Sequence, residues 1–359
     1  MKKNNRKWIV GGLFALGFLV AVYIPPNFFR LSSDSLFAGA GPAIEWAKTF
    51  GGTNDDWADS VQQTIDGGYI IAGLTKSFGA GDSDAYLIKT DSDGNLSWQK
   101  TFGGTDDDYA NSVQQTADHG YIIAGDTKSF GAGKSDAYLA KIDANGNLQW
   151  QKTFGGTGDD WATCVQQTPD GGYIIAGLTE SFSTRKFGYA GSLDAYLIKT
   201  DSEGNLQWQK TFGGTGDDCA TFVQQTSDAG YIIAGWTKSF GAGKSDAYLA
   251  KTDCDGNRLW QKTFGGTDDD WATSVQQTPD AGYVIAGRTE SFGAGKSDAY
   301  LAKTDCDGNR LWQKTLGGTG DDWATSVQQT TDSGYIVAGL TKSFGAGGFD
   351  AYLVKIAPE

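Results

Sequence analysis

The chain has very little of the residues on which most catalytic sites depend. Its 359 residues include one His, one Met, six Pro and four Cys. The single histidine, His119, stands in the turn-like stretch "ADHG", so a Ser-His-Asp site is not expected. The cysteines do not have metal-ligand spacing, and beyond residue 30 only four arginines remain, too scattered to hold an acidic substrate. These absences argue against several enzyme classes.

Positive charge is also scarce. Lys and Arg total 29 against 43 Asp and Glu, which gives a net charge of −14. The first 43 residues are cationic on balance, so the rest of the chain is more acidic still. Because an acidic body repels phosphate backbones, no nucleic-acid partner is expected.

One long apolar run is present, the 17 uncharged residues Trp8–Ile24, behind four cationic residues. It predicts a hydrophobic helix that contacts the membrane through residues 8–24, with the N-terminus inside. Residues 1–24 are either an uncleaved signal anchor or a cleaved signal peptide, and 25–43 form a tether. Both alternatives place residues 44–359 outside the cytoplasm.

The sequence is rich in glycine and tryptophan, with 52 and 12 residues, and both recur in a repeat. The phrase "TFGGT", or "TLGGT" in its last copy, begins at Thr49, Thr101, Thr153, Thr211, Thr263 and Thr315. The intervals are 52, 52, 58, 52 and 52 residues, and the long one contains an insertion around Ser183–Ser192. A period of this length indicates a repeat architecture.

Each repeat contains short segments in which apolar and polar residues alternate, separated by Gly- and Asp-rich turns. Four strands with such turns are typical of a propeller blade, and no helical period is sustained beyond the N-terminus. The sequence therefore predicts an all-β fold, a six-bladed β-propeller of four-stranded antiparallel blades, preceded by one hydrophobic helix. A stacked solenoid is the alternative.

The ends of the repeat region favour the ring over the solenoid. The sixth repeat stops after its third strand, whereas Ile44–Lys48, "IEWAK", aligns with the fourth strands of the other repeats. Its Trp46 begins the series Trp98, Trp150, Trp208, Trp260 and Trp312. We therefore expect strand 44–48 to complete the last blade and close the ring, because an open ring leaves an unpaired strand edge.

The repeat "GGTxDDxAxSVQQTxDGGYIIAGxTxSF…DAYLxKTDxxGNLxW" resembles the β-propeller repeats of bacterial and archaeal secreted and cell-surface proteins. The resemblance covers residues 44–356 and implies a surface or adhesion-like role. The last part of each repeat, Asp201–Trp208 for instance, is similar to the tryptophan-docking motif of pyrroloquinoline-quinone propellers. The adjacent cysteines and catalytic cluster of those enzymes are not found here, so use of that cofactor is not expected.

An Asp pair follows each Gly-Gly, where the chain is expected to cross from one blade's outer strand to the next blade's inner strand. The pairs are Asp55 and Asp56, Asp107 and Asp108, Asp159 and Asp160, Asp217 and Asp218, Asp269 and Asp270, and Asp321 and Asp322. We call the face that holds these crossings and the "SFGAG" loops the crossing face. The carboxylates either accept backbone hydrogen bonds there or bind Ca²⁺. Catalysis by them is disfavoured, since six equal environments do not separate an acid from a base.

Aromatic residues recur in a second series, Trp57, Tyr109, Trp161, Cys219, Trp271 and Trp323. Both aromatic series predict packing between blades, with sugar stacking as the alternative. The insertion breaks the regular ring and carries Arg185, Lys186, Phe187 and Tyr189, which makes these four residues candidates for ligand binding.

Repetition without a unique catalytic group predicts a binding or scaffold module with no catalytic activity and no certain cofactor. Its ligand is expected to be a protein or glycan outside the cytoplasm. The alternatives are a multivalent carbohydrate-binding lectin and a Ca²⁺-dependent hydrolase or lyase that uses the carboxylates at the channel mouth.

Overall fold

The computed structural model describes residues 45–183, 192–345 and 347–358. These residues form 23 β-strands in six antiparallel sheets, five of four strands and one of three. The predicted six-bladed β-propeller is confirmed. The predicted N-terminal helix and tether lie in residues 1–44, outside the described residues, as do residues 184–191 of the insertion. Within the described ranges, no helix is long and apolar enough to cross a bilayer.

Each blade is a meander of strands in chain order. The innermost strands are β1 (Asp56–Gln63), β5 (Asp108–Gln115), β9 (Asp160–Gln167), β13 (Asp218–Gln225), β17 (Asp270–Gln277) and β21 (Asp322–Gln329). The second strands are β2 (Tyr69–Thr75), β6 (Tyr121–Thr127), β10 (Tyr173–Thr179), β14 (Tyr231–Thr237), β18 (Tyr283–Thr289) and β22 (Tyr335–Thr341). The third strands are β3 (Asp84–Thr90), β7 (Asp136–Ile142), β11 (Asp194–Thr200), β15 (Asp246–Thr252), β19 (Asp298–Thr304) and β23 (Asp350–Ile356). The outer strands are β4 (Leu96–Phe102), β8 (Leu148–Phe154), β12 (Leu206–Phe212), β16 (Arg258–Phe264) and β20 (Arg310–Leu316).

The core lies between the blades. Strand alternation sends side chains to opposite faces of each sheet, so one blade packs against both of its neighbours. In blade three, Leu197 packs against blade four, whereas Tyr196 packs against blade two. Both residues are fully buried. The third strands of blades one to five are buried along their whole length, which explains why they read "DAYL" with little variation.

The outer-strand tryptophans pack between blades, as predicted. Trp98 of blade one meets Tyr121 of blade two edge to face, with ring centroids 5.8 Å apart. The glycine of the turn before the next outer strand makes room for this ring, since a Cβ on Gly146 would lie 3.0 Å from Trp98. Trp150, Trp208, Trp260 and Trp312 make the same contact one blade further along each time.

The closing strand predicted at residues 44–48 is not formed in the described part of the chain. Residues 45–50 are in no strand, and β23 is the outermost strand of its sheet. Trp46 still packs on blade one, with its ring 5.5 Å from that of Tyr69, and Lys48 Nζ donates to Asn95 Oδ1 at 3.2 Å. Outer strands of other blades make the same two contacts to the next blade, as Trp150 does to Tyr173 and Lys152 to Asn205. The segment therefore lies against blade one as a closing strand would, but it is not paired with β23.

The two end blades therefore expose apolar surface that the other blades bury. Leu353 on β23 is 65% exposed, whereas its equivalent Leu301 in blade five is fully buried. On the opposite end, Tyr69 is half-buried, whereas Tyr121 in blade two is buried. The consequence is that the last strand and the first blade carry the least packing in the ring.

Candidate functional site

The second Asp of each pair begins an inner strand and is part of a closed hydrogen-bond network. In blade two, Asp108 is fully buried, and its Oδ2 accepts from the Gly104 amide at 2.8 Å and the Ser129 hydroxyl at 2.7 Å. The Thr127 hydroxyl donates to Oδ1. The amide of Asp108 itself donates to the Ser83 carbonyl of blade one at 2.7 Å. The carboxylate thus joins the crossing segment, its own blade and the preceding blade.

The same network recurs at the five other positions, Asp56, Asp160, Asp218, Asp270 and Asp322. Burial raises the pKa of Asp56, but hydrogen bonds from Thr75, Gly52 and Ser77 outweigh burial and bring the pKa below its usual value. The pKa of Asp322 is lowered by the equivalent donors. These six carboxylates cap the backbone, which is one of the two roles that the sequence left open.

The first Asp of each pair is more exposed and meets side chains. Lysines lie 2.8 Å from Asp107, 2.9 Å from Asp217 and 2.7 Å from Asp321. Asp159 lies 3.7 Å from Lys134, and Asp269 accepts from Ser245. Exposed ion pairs of this kind add little stability to the fold. No group of three or more His, Cys, Asp or Glu arranged to hold a metal ion occurs among the described residues. Calcium at the Asp pairs, Asp55 included, stays a prediction.

A run of stacked rings and cations crosses blades four to six on the crossing face, and we call it the aromatic ladder. Trp236 of blade four stacks on Trp271 of blade five at 5.5 Å and 21°. The Arg288 guanidinium lies 3.8 Å from the Trp271 ring and 5.3 Å from the Trp323 ring of blade six. Trp323 then packs on Phe349 at 4.7 Å. On the crossing face, the ladder makes blades four to six differ from the other blades.

Hydrogen bonds and charges fix the ladder in place. The indole of Trp271 donates to Ser245 Oγ at 2.8 Å, and that of Trp323 donates to Ser297 Oγ at 3.1 Å. Arg288 is 8% exposed. Burial lowers its pKa, while Glu290 and other nearby carboxylates act in the opposite direction. The three indole rings are half-buried, so each keeps part of its surface in solvent.

Sequence reasoning missed half of the ladder. It noticed the series that includes Trp271 and Trp323, but not the sixth residue of each second strand. That position reads Leu74, Asp126, Leu178, Trp236, Arg288 and Leu340. Variation at one site within an otherwise constant "GYIIAGxT" strand was the available signal. The structure pairs this position with the second aromatic series, as in the register of Arg288 with Trp271.

The predicted ligand residues Arg185, Lys186, Phe187 and Tyr189 lie outside the described residues. The end of the insertion is described and meets blade four. The Asp218 amide donates to the Leu193 carbonyl at 2.6 Å, and the Leu193 amide donates to Asp217 Oδ1 at 3.4 Å. Asp217 in turn holds Lys238, which lies 5.5 Å from the Trp236 ring. Leu193, which directly follows the insertion, is therefore linked through Asp217 and Lys238 to the first residue of the aromatic ladder.

The face opposite the crossing face is formed by the hairpin turns, and we call it the turn face. An open groove of about 1060 Å³ runs between blades three and four on this turn face, lined by Gln167, Asp170, Trp208 and Asp255 among others. The groove lies along the Trp208–Tyr231 contact between these two blades, which recurs around the ring. The same turn face holds Asp170, whose carboxylate pairs with the buried Lys199 at 2.9 Å. The Asp170 carboxylate is thus engaged within the fold.

Comparison with known proteins identifies no family for the chain. No family model matches the chain. The regulatory protein FlaEY of Caulobacter vibrioides is 24% identical over 212 residues, which is 51% of this chain and 22% of that protein. The chain thus spans about a fifth of the relative that it matches.

Similar solved structures include the Neurospora crassa Pan2 WD40 domain, with TM-score 0.47 and 10% identity over 84% of this chain and 91% of that one. A Hadza microbial sialidase has TM-score 0.46 and 12% identity over 82% of this chain and 64% of that one. Neither similarity bears on what this chain binds.

Proposed function

We propose that this chain is a binding module without catalytic activity, and that its ligand contacts the crossing face at blades four to six. The aromatic ladder is the observation that carries the proposal. Blades built from one repeat differ there in the residues that face solvent, and half-buried indoles with a guanidinium between them are typical of binding centres. Leu193, which directly follows the insertion, contacts Asp217 beside this surface.

The capping carboxylates support a binding role rather than catalysis. All six have the same kind of donors, so no two of them differ in environment as a general acid and base must. Their hydrogen bonds would have to break before they could act on a substrate. What varies around the ring is the shape and charge of the surface.

A glycan is the ligand class that the ladder favours. The exposed parts of Trp236, Trp271 and Trp323 offer apolar surface on which the apolar faces of sugar rings can pack. Asp217 and Asp321 flank the stack and can accept hydrogen bonds from hydroxyl groups. A protein ligand remains the second candidate, because Arg and Trp are also enriched in the centres of protein interfaces. In either case we place the ring outside the cytoplasm, held by residues 1–24.

The experiment uses two substitutions that the repeat itself supplies. Arg288→Leu introduces the residue found at the same position in blades one, three and six. Arg310→Leu does the same at the start of β20, beside the turn face, where other blades have leucine. Both remove one positive charge, and both introduce a side chain that the fold accepts elsewhere.

Wild type and both variants are applied to a glycan array, and the strongest hits are measured by calorimetry. We expect Arg288→Leu to weaken glycan binding about tenfold or more, as loss of about 1.4 kcal/mol at a binding centre does. Arg310→Leu should bind as wild type does. Equal binding by all three proteins would refute the site, and an array with no hits would refute the glycan and turn the search to protein ligands.

A further inference from the structure

Hydrogen bonds of one kind close five of the six junctions between blades. At the fifth junction, the amide of Asp322 donates to the Ser297 carbonyl at 2.7 Å, and the amide of Gln329 donates to Gln276 Oε1 at 2.6 Å. The amides that open the inner strands of blades two to five make the first of these bonds at the other four junctions. Among the described residues, no hydrogen bond joins blade six to blade one. The sixth junction is therefore open.

On one side of the open junction, blade six exposes the apolar face that the other blades bury against their neighbours. In blade five, Ala299 and Leu301 lie in one core cluster with Tyr335 of blade six. The equivalent residues of β23 are Ala351 and Leu353, and both are exposed, Leu353 at 65%. The outer edge of β23 is also unpaired among the described strands. We call this face and this strand edge together the blade-six end.

On the other side, blade one carries the counterpart of that face, and we call it the blade-one end. Val61, Tyr69 and Ile71 are half-buried there, whereas their equivalents in the other five blades are buried. Segment 45–50 belongs to this end, because its Trp46 ring lies 5.5 Å from that of Tyr69, as the tryptophan of an outer strand does on the next blade. The blade-one end thus presents both the apolar face and the fourth strand that the blade-six end lacks.

We propose that the blade-six end of one copy of this chain binds the blade-one end of a second copy. Residues 45–50 of the second copy pair with β23 as its fourth strand, and the two apolar faces pack as they do at the five closed junctions. A strand with a free edge is a ready template for such pairing. Each copy has one end of each kind, so the contact joins copies head to tail.

The packing of the ring favours a second copy over the chain's own first blade. The five closed junctions fix the angles between neighbouring blades, and at those angles the two ends of one chain stay unpacked. Closure within one chain would have to change packed junctions, and close-packed interiors resist such changes. A second copy docks without altering any junction. Its contact continues the interface that already joins blade to blade.

The first test measures the mass of the full-length protein in detergent micelles by light scattering over a series of concentrations. We expect single chains in dilute solution and two or more chains per particle as the concentration rises. Leu353→Glu places a charge in the proposed contact and should move this transition to concentrations about tenfold higher or more. The control Leu206→Glu changes a leucine that is 48% exposed on the outer strand of blade three, and it should associate as wild type does. Both variants should keep the Tm of dilute wild type.

The second test uses a disulfide to identify which surfaces meet. Ser297 and Asp321 form a β-bridge between blades five and six, and Phe349 and Asp55 are their equivalents at the two ends. The two exposed cysteines are first replaced by serine, the residue at that position in blades one and three. After oxidation, a mixture of the Phe349→Cys and Asp55→Cys proteins should give a two-chain product that neither protein gives alone.

Three results would overturn the proposal. Single chains at every concentration would show that the ends do not associate. Equal association of Leu353→Glu and wild type would assign the association to another surface, such as residues 1–24. A chain that carries both cysteine substitutions and forms the disulfide within itself, while the mixture forms none, would show that the ring closes on its own first blade.

Discussion

The second Asp of each pair caps the backbone and the first does not, so substitution of Asp108 should destabilise the fold more than substitution of Asp107. Asp108→Asn keeps the size of the side chain and one acceptor oxygen. It replaces Oδ2, which accepts from Gly104 and Ser129, by an amide group that cannot accept. Two hydrogen bonds to a buried charge are lost or reversed, each worth about 1.5–2 kcal/mol. We therefore expect the free energy of unfolding to fall by about 3–4 kcal/mol.

The matched control is Asp107→Asn, one residue earlier. Asp107 and its partner Lys128 are both partly exposed to solvent. Loss of the Asp107 charge should therefore lower the free energy of unfolding by less than about 1 kcal/mol. Urea unfolding followed by tryptophan fluorescence measures both variants, and hydrogen exchange at Gly104 shows whether its amide has lost its acceptor. Equal effects of the two substitutions, or a larger effect of Asp107→Asn, would refute the assignment of capping to the second Asp.

Three further predictions follow. Burial raises the pKa of Asp280, but hydrogen bonds from Lys303 and Thr278 outweigh burial and lower the pKa to about 2. Ionised Asp280 therefore adds stability that is complete above about pH 4 and is lost as the pH falls to 2. Circular dichroism during acid titration should show this loss shifted or absent in Asp280→Asn. Leu301→Ala should cost about 2–5 kcal/mol of unfolding free energy and Leu353→Ala less than about 1, and equal costs would mean that blade one covers β23 in solution. Replacing residues 183–193 by "GAGKS", which restores the loop length of the other repeats, should weaken glycan binding without changing the Tm. Unchanged binding would show that the insertion does not belong to the site.

The architecture could be predicted from the sequence because the repeat is long and nearly constant. The interval of 52 residues and the recurring tryptophan define six blades whatever the details of each strand. Trp98 and its equivalents were predicted to pack between blades, and the structure confirms this. The repeat could not predict whether its two ends pair with each other. Trp46 and Lys48 make the contacts to blade one that the alignment with the outer strands predicts, but the alignment does not show whether the segment also pairs with β23.

The site was less predictable for a physical reason. Which Asp of a pair caps the backbone depends on where the inner strand begins, and a one-residue shift exchanges the two roles. The ladder joins Trp236 to Trp271 across two blades, a contact that depends on the rotation between sheets rather than on spacing.

The central claim, that ligand binds the crossing face at blades four to six, is tested most directly by hydrogen–deuterium exchange with a glycan hit bound. Peptides that contain Trp236, Trp271, Arg288 and Trp323 should gain protection, while those of the hairpin turns at Asp170 and Asp280 should exchange as in the free protein. Protection confined to the turns, or spread equally over all six blades, would contradict the account.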